Sequence, residues 1–210
     1  MHRAIRFIIV LLFALMLSSC SSSIKLEIQT DIPKAAMDPS SRKVGLVIGP
    51  EFANYVYREN SDARENWEVA LGKSQSALFE GIFSSAFGNV SLSAIDSSKN
   101  EAELVFIPQL VEMQLATPSE TGFTFFEAWL NYALTIRATP KNKTQTVHIV
   151  AYGKENTARF QGKHEGLHKA IESALRDAGA KLTIQLIALA DDESVDQSDG
   201  EFGNQTAVGN

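Results

Sequence analysis

The chain holds one cysteine in 210 residues, so no disulfide can close within it and the fold must stand on its core alone. Basic charge is scarce: 19 Lys and Arg stand against 25 Asp and Glu. That balance offers no basic surface for nucleic acid and no polybasic patch for anionic lipid. A membrane-spanning run is missing too. The longest apolar stretch, Phe7 to Leu17, is eleven residues; at about 1.5 Å per residue it reaches about 17 Å, well short of a bilayer core of about 30 Å. No Ser-centred nucleophile elbow, phosphate-cradling glycine loop, paired Cys motif or internal repeat is present. The paired acids Glu101 and Glu103 sit with Lys99 and Asn100 in what reads as a solvated loop.

What is present begins at the N-terminus. Arg3 and Arg6 form a short positive region, Phe7 to Leu17 an apolar one, and Ser18 and Ser19 the small residues that a peptidase needs. This is the plan of an export signal over 1–19. Cys20 follows directly, and Leu17-Ser18-Ser19-Cys20 resembles the lipobox of bacterial lipoproteins. The resemblance implies cleavage between Ser19 and Cys20, acylation of the Cys20 sulfur and nitrogen, and a partnership with the membrane through those chains. Each buried methylene contributes about 0.8 kcal/mol, so two or three long chains anchor permanently. Ser21 in place of Asp resembles the sorting pattern of outer-membrane lipoproteins, with the body in the periplasm.

Without Arg3 and Arg6 the chain keeps 17 basic and 25 acidic side chains, a formal balance of −8. Six of the acids, Asp191, Asp192, Glu193, Asp196, Asp199 and Glu201, lie in 191–210 with no base among them. A stretch so acidic and so poor in apolar residues is expected to form a disordered tail. Residues 20–42, with Ser21-Ser22-Ser23, Pro33, Pro39 and Ser40-Ser41, read as a lipidated N-terminus and tether. Within them Ile24, Leu26 and Ile28 alternate with Lys25 and Glu27, which suggests a short edge strand. Residues 43–190 remain as one domain, enough to bury about two thirds of its unfolded surface.

Within that domain Val44 to Ile48 reads as a covered strand, and Trp67 to Phe87 as a helix with Trp67, Leu71, Leu78, Ile82 and Ala86 on one face, closed by Gly88-Asn89. Val90 to Leu92 reads as a brief strand, and Leu104 to Leu115 as a long one that Pro108 forces to a bulge or an edge. Phe126 to Ala138 alternates apolar and polar for thirteen residues, and Val147, Ile149 and Ala151 continue it across a polar turn as a hairpin. Gly153 suggests a bulge. A last helix, Gly166 to Leu189, carries Leu167, Ile171, Leu175, Ala178, Leu182, Leu186 and Leu189 on one stripe. The expected fold is α+β, a two-layer sandwich of a mostly antiparallel sheet of four to five strands packed by two helices.

The lipobox, the Ser/Pro tether, the strand Lys43 to Ile48, the segment Ala86-Phe87-Gly88-Asn89-Val90 and the closing helix Glu172 to Leu189 resemble small Gram-negative envelope lipoproteins. YajG-like lipoproteins are nearest in layout, and lipopolysaccharide-assembly and ABC-transport auxiliary lipoproteins are similar in architecture. The resemblance implies a non-enzymatic accessory or assembly component of an envelope complex, with an envelope protein as partner and no cofactor. Carriage of an apolar ligand between envelope components is the alternative. Phe123, Phe125 and Trp129, after the turn Thr117 to Gly122, are the candidate lip for a partner or ligand, whereas Phe126 falls on the core side of the alternation.

One motif points elsewhere. His164-Glu165-Gly166-Leu167-His168 matches H-E-x-x-H, in which two histidines one turn apart bind zinc and the glutamate activates water. Lys163 and Lys169 flank it, Gly162 and Gly166 put it at the start of the helix, and the third-ligand candidates are Glu172, on the same helix, and Glu193, in the tail. These features favour a non-enzyme, with catalytic Glu165 and metal ligands His164 and His168 kept as the alternative. Metal analysis of the full chain beside a His168→Ala variant separates the two. The expected outcome is no stoichiometric zinc and the same unfolding midpoint in both; tight zinc lost in the variant would make the chain a membrane-tethered metalloprotease.

Overall fold

The computed structural model describes residues 24–28, 38–59, 66–92, 102–138, 143–159 and 162–198, with only the backbone given for residue 24 and for 190–198. The signal segment, Ser19, Cys20 and the end of the tail lie outside the described residues. The elements in chain order are β1 (Ile24–Glu27), β2 (Ser40–Leu46), α1 (Pro50–Ala53), β3 (Val56–Glu59), β4 (Trp67–Ala70), α2 (Gly72–Ala86), β5 (Phe87–Leu92), β6 (Leu104–Ala116), α3 (Pro118–Thr121), β7 (Phe125–Ala138), β8 (Lys143–Asn156) and α4 (Lys163–Ser198). They form an α+β fold with a five-stranded sheet, order β5-β2-β6-β7-β8, and a three-stranded sheet, order β1-β4-β3.

The long strands form where alternation is strict. β6, β7 and β8 run antiparallel, and β7 pairs with β8 without a break from Phe125↔Asn156 to Ala138↔Lys143. On β7 the residues Phe126, Ala128, Leu130, Tyr132, Leu134 and Ile136 are all buried, which fixes this face to the core, since a one-residue slip would turn the whole set outward. β2 and β5 add to the sheet in parallel. Pro108 is accommodated because β2 pairs β6 only from Leu104 to Phe106. Past Phe106 that side of β6 is an edge, and a missing N–H there breaks no ladder. The bulge in β6 lies between Leu110 and Glu112.

α2 and α4 cover the inner face. Three rings, Phe52, Phe79 and Tyr132, meet at centroid distances of 5.2 Å (Phe52–Phe79) and 5.4 Å (Phe79–Tyr132), and Phe83 lies 4.8 Å from Phe106. Such pairs add about 0.5–1.5 kcal/mol each beyond the area they bury. Gln75 ties three elements through this layer. Its side-chain N–H donates to Phe52 O at 2.6 Å, and Tyr132 donates its hydroxyl to Gln75 Oε1 at 3.3 Å. Ser74 donates to Ile28 O, which holds the end of β1 against α2.

Four sequence expectations are corrected. Trp67 opens a strand and not a helix: Trp67 and Val69 are buried in β4, between β1 and β3. α2 does not end in a glycine cap, because Phe87 is already extended (φ −131°, ψ 124°) and begins β5. Gly153 marks no bulge; the ladder runs straight through it opposite Ala128. A Cβ there would come within 1.9 Å of Ala170 O and 2.4 Å of Ala174 N, so the glycine allows α4 to lie directly on β8. Finally, α4 reaches Ser198, past the expected end at Leu189, since neither Gly nor Pro interrupts 190–198.

These contacts set opposite outcomes for two similar substitutions. Gly153→Ala must push α4 off the sheet and is expected to destabilise by about 2–4 kcal/mol. Gly81→Ala, where an added Cβ meets nothing within 4 Å, should stabilise α2 by about 0.5–1 kcal/mol. Urea midpoints of the two variants check both signs.

Candidate functional site

The outer face of the five-stranded sheet is the counterpart of the buried one. Odd-numbered residues of β7 and even-numbered residues of β8 point to it, in the register Glu127↔Lys154, Trp129↔Tyr152, Asn131↔Val150 and Ala133↔His148. Of these His148, Val150, Tyr152 and Lys154 are exposed, Glu127, Trp129 and Asn131 are half-buried, and Ala133 is buried. Trp129 and Tyr152 lie with ring centroids 5.3 Å apart. Tyr152 donates its hydroxyl to Glu127 Oε1, and Lys154 Nζ stands 3.6 Å from the centre of the Phe125 ring. The side-chain oxygen Oδ1 of Asn131 is covered and has no protein hydrogen-bond partner. The result is an ordered aromatic strip with charges at one end.

The three residues expected to form a lip do not all lie together. Phe125 and Trp129 share the strip, while Phe126 turns to the core, where its ring fills the space a Gly166 side chain would need. Phe123 stands apart in the loop after α3 and is 67% exposed. That loop is held by a capping box: Thr117 N donates to Glu120 Oε2 at 2.7 Å, and Gly122 takes φ 72° to end the turn. Sequence reasoning missed Tyr152 and Lys154. The signal available was their parity, opposite to buried Ile149 and Ala151 on the same strand.

The histidines do not converge. His164 is exposed, and its Nε2 faces Lys25 O of β1 at 3.2 Å. His168 Nδ1 lies 3.9 Å from Glu172 Oε1, and Glu172, buried, is held by Lys169 Nζ at 2.6 Å. Glu165 is exposed. Among the described residues no three His, Cys, Asp or Glu side chains are grouped to hold a metal ion, and no helix is long and apolar enough to cross a membrane. A cleft of about 520 Å³ lies at the sheet margin where β2 gives way to α1, lined by Pro50, Phe52, Tyr55, Ile107, Pro108 and Leu110 among others.

No protein-family model and no curated protein matches the chain. Likeness is found among solved structures. A protein from Xanthomonas campestris, described by the family model DUF330, superposes with a TM-score of 0.51 at 10% identity, covering 82% of this chain and 99% of that one. A candidate lipoprotein from Caulobacter crescentus reaches 0.35 at 10% identity over 46% of this chain and 73% of its own. A hypothetical protein from Chlamydia trachomatis reaches 0.37 at 10% identity, covering 71% and 96%. At such identities the first of these shows a shared fold, and the other two carry no argument.

The strip has a pH signature. Burial, then the hydrogen bond to Glu127 and its charge, raises the Tyr152 phenol from 10.0 to about 12. A raised folded value contributes stability below the unfolded one that is lost as pH rises through the folded one. Stability is therefore expected to fall between about pH 10 and 12. The fall should be shallower in Tyr152→Phe, as read from urea midpoints across that window. Burial raises Tyr132 and Tyr57 as well, so part of the slope should remain.

Proposed function

We propose that the chain is a lipid-anchored, periplasm-facing outer-membrane lipoprotein, YajG-like in layout, that serves as a non-enzymatic accessory or assembly component of an envelope complex. The observation that carries this reading is the two-sided sheet. One face is closed by α2 and α4, and the other presents Phe125, Trp129 and Tyr152 in a strip rimmed by Glu127 and Lys154. An aromatic centre with a charged rim is the composition of a protein-docking surface. The polar groups that could do chemistry are engaged structurally: Glu172 with Lys169, His164 with the backbone of β1.

The carrier reading asks for a cavity between helices and sheet. Among the described residues that layer holds the packed rings of Phe52, Phe79, Tyr132, Phe83 and Phe106, and the cleft beside Pro50 and Pro108 lies at the margin. An assembly role fits this distribution better than internal carriage does.

The anchor is the most direct test. In cells fed labelled palmitate the full chain should take up label and fractionate with the outer membrane. Cys20→Ser should lose the label and leave the membrane fraction, and Ser21→Asp should keep the label and move to the inner membrane. A labelled Cys20→Ser variant, or a wild-type chain free in the periplasm, would sink the proposal.

A further inference from the structure

β8 is an end strand of the five-stranded sheet, and part of its open edge is guarded. Tyr152 N donates to Asp177 Oδ2 at 2.9 Å, Lys181 Nζ donates to Val150 O at 2.8 Å, and Lys181 and Asp177 are paired at 2.7 Å. Two side chains of α4 thus occupy one N–H and one C=O of the edge that would otherwise recruit another strand. Backbone direction alternates along a strand, so Thr144, Thr146 and His148 present their N–H and C=O on the same open side as Val150 and Tyr152. Among the described residues nothing donates to or accepts from those groups.

The guard stops where the helix changes chemistry. Asp177, Lys181 and Ile184 follow one another at spacings of four and three, on one stripe of α4. The next position after the Asp177–Lys181 pair is therefore an isoleucine, 63% exposed, with Ile187 beside it 40% exposed and Val150, on the sheet's outer side, 56% exposed. An unpaired edge from Thr144 to His148 is flanked by apolar side chains, with no proline and no charge between those residues to blunt it.

We propose that this edge pairs with the same segment of a second copy, antiparallel about a two-fold axis at Thr146, joining two five-stranded sheets and covering Ile184 and Ile187 of both helices. The segment is complementary to itself. Thr146 meets Thr146, Thr144 meets His148, Gln145 meets Val147 and Lys143 meets Ile149, so no like charges are opposed. Thr146 Oγ1 already lies 3.5 Å from Thr135 Oγ1 across the β7–β8 ladder, and the two-fold extends this into a row of four threonines. The register is bounded as well, because a shift towards the C-terminus would run into the Asp177–Lys181 guard. An extended strand of a different envelope protein is the competing occupant.

Cross-linking of the full chain in its native membrane decides. The only native cysteine is Cys20, whose sulfur the proposed anchor occupies, so the unsubstituted chain sets the background. In a hydrogen-bonded antiparallel pair the Cα atoms are about 5.5 Å apart, within disulfide reach, whereas two copies of residue 144, or of 148, would be about 13 Å apart along the strands. On mild oxidation Thr146→Cys should give a disulfide dimer of twice the monomer mass, about tenfold or more above Thr144→Cys and His148→Cys alone. The double variant Thr144→Cys/His148→Cys should restore it. No self-dimer at Thr146, equal yields at all three positions, or a bond from Thr146→Cys to a protein of another mass would each overturn the proposal.

Discussion

The direct contact of α4 with β8 and β7 is the constraint on which the rest depends. At Gly153 the helix backbone comes so close that no Cβ fits, and at Gly166 the helix gives way to the Phe126 ring. Ala170, Ala174 and Ala178 keep the buried stripe narrow between Leu167, Leu175, Leu182 and Leu186. Small residues on both sides let a long helix lie low on the sheet, where dispersion contacts are densest. That height brings Asp177 and Lys181 level with the backbone of β8 and leaves Gly179 against Leu78 of α2. Moving the helix outward would open the core and uncover the strand edge together.

A second consequence is the division of labour between the sheet's faces. With α2 and α4 on one side, the aromatic residues of β7 split by parity. Phe126 and Tyr132 complete the core; Phe125 and Trp129 remain outside, ordered by Lys154 and Tyr152. With Phe125 and Trp129 half-buried and fixed by their neighbours, less side-chain entropy would be lost if a partner docked there. The same economy applies to H-E-x-x-H. Its second histidine and Glu172 belong to a polar shoulder of α4 beside Lys169, and its first caps the small sheet through Lys25 O.

Parts of this were legible in the chain, and for physical reasons. The β7 alternation is readable because one face is buried along its whole length, and the α4 stripe because a helix on a sheet needs one apolar row. Pro108 pointed to a bulge or an edge because its missing N–H admits few alternatives, and the pairing with β2 shows it to be an edge. Of the small sheet only the edge strand β1 was legible, from the alternation of Ile24, Leu26 and Ile28; Val56–Glu59 and Trp67–Ala70 are four residues each, too short for a period of 2 to stand apart from a helical one. Trp67 and Leu71 even share a helical spacing. Gly153 was ambiguous because a bulge and a close helix both call for glycine, and only the third dimension chooses. At the candidate site Phe125 and Trp129 were readable from β7 alone, whereas Tyr152 and Lys154 needed the register between strands.

Native-state hydrogen exchange on the full chain reads whether α4 and the sheet unfold together. If α4 and the sheet hold one another in place, the amides of α4 between 167 and 186 and those of β7 between 128 and 136 should exchange with a single common free energy that tracks global unfolding as denaturant rises. Exchange of α4 at a distinctly lower free energy, with β6, β7 and β8 still protected, would mean that the sheet stands without the helix, and would contradict the account.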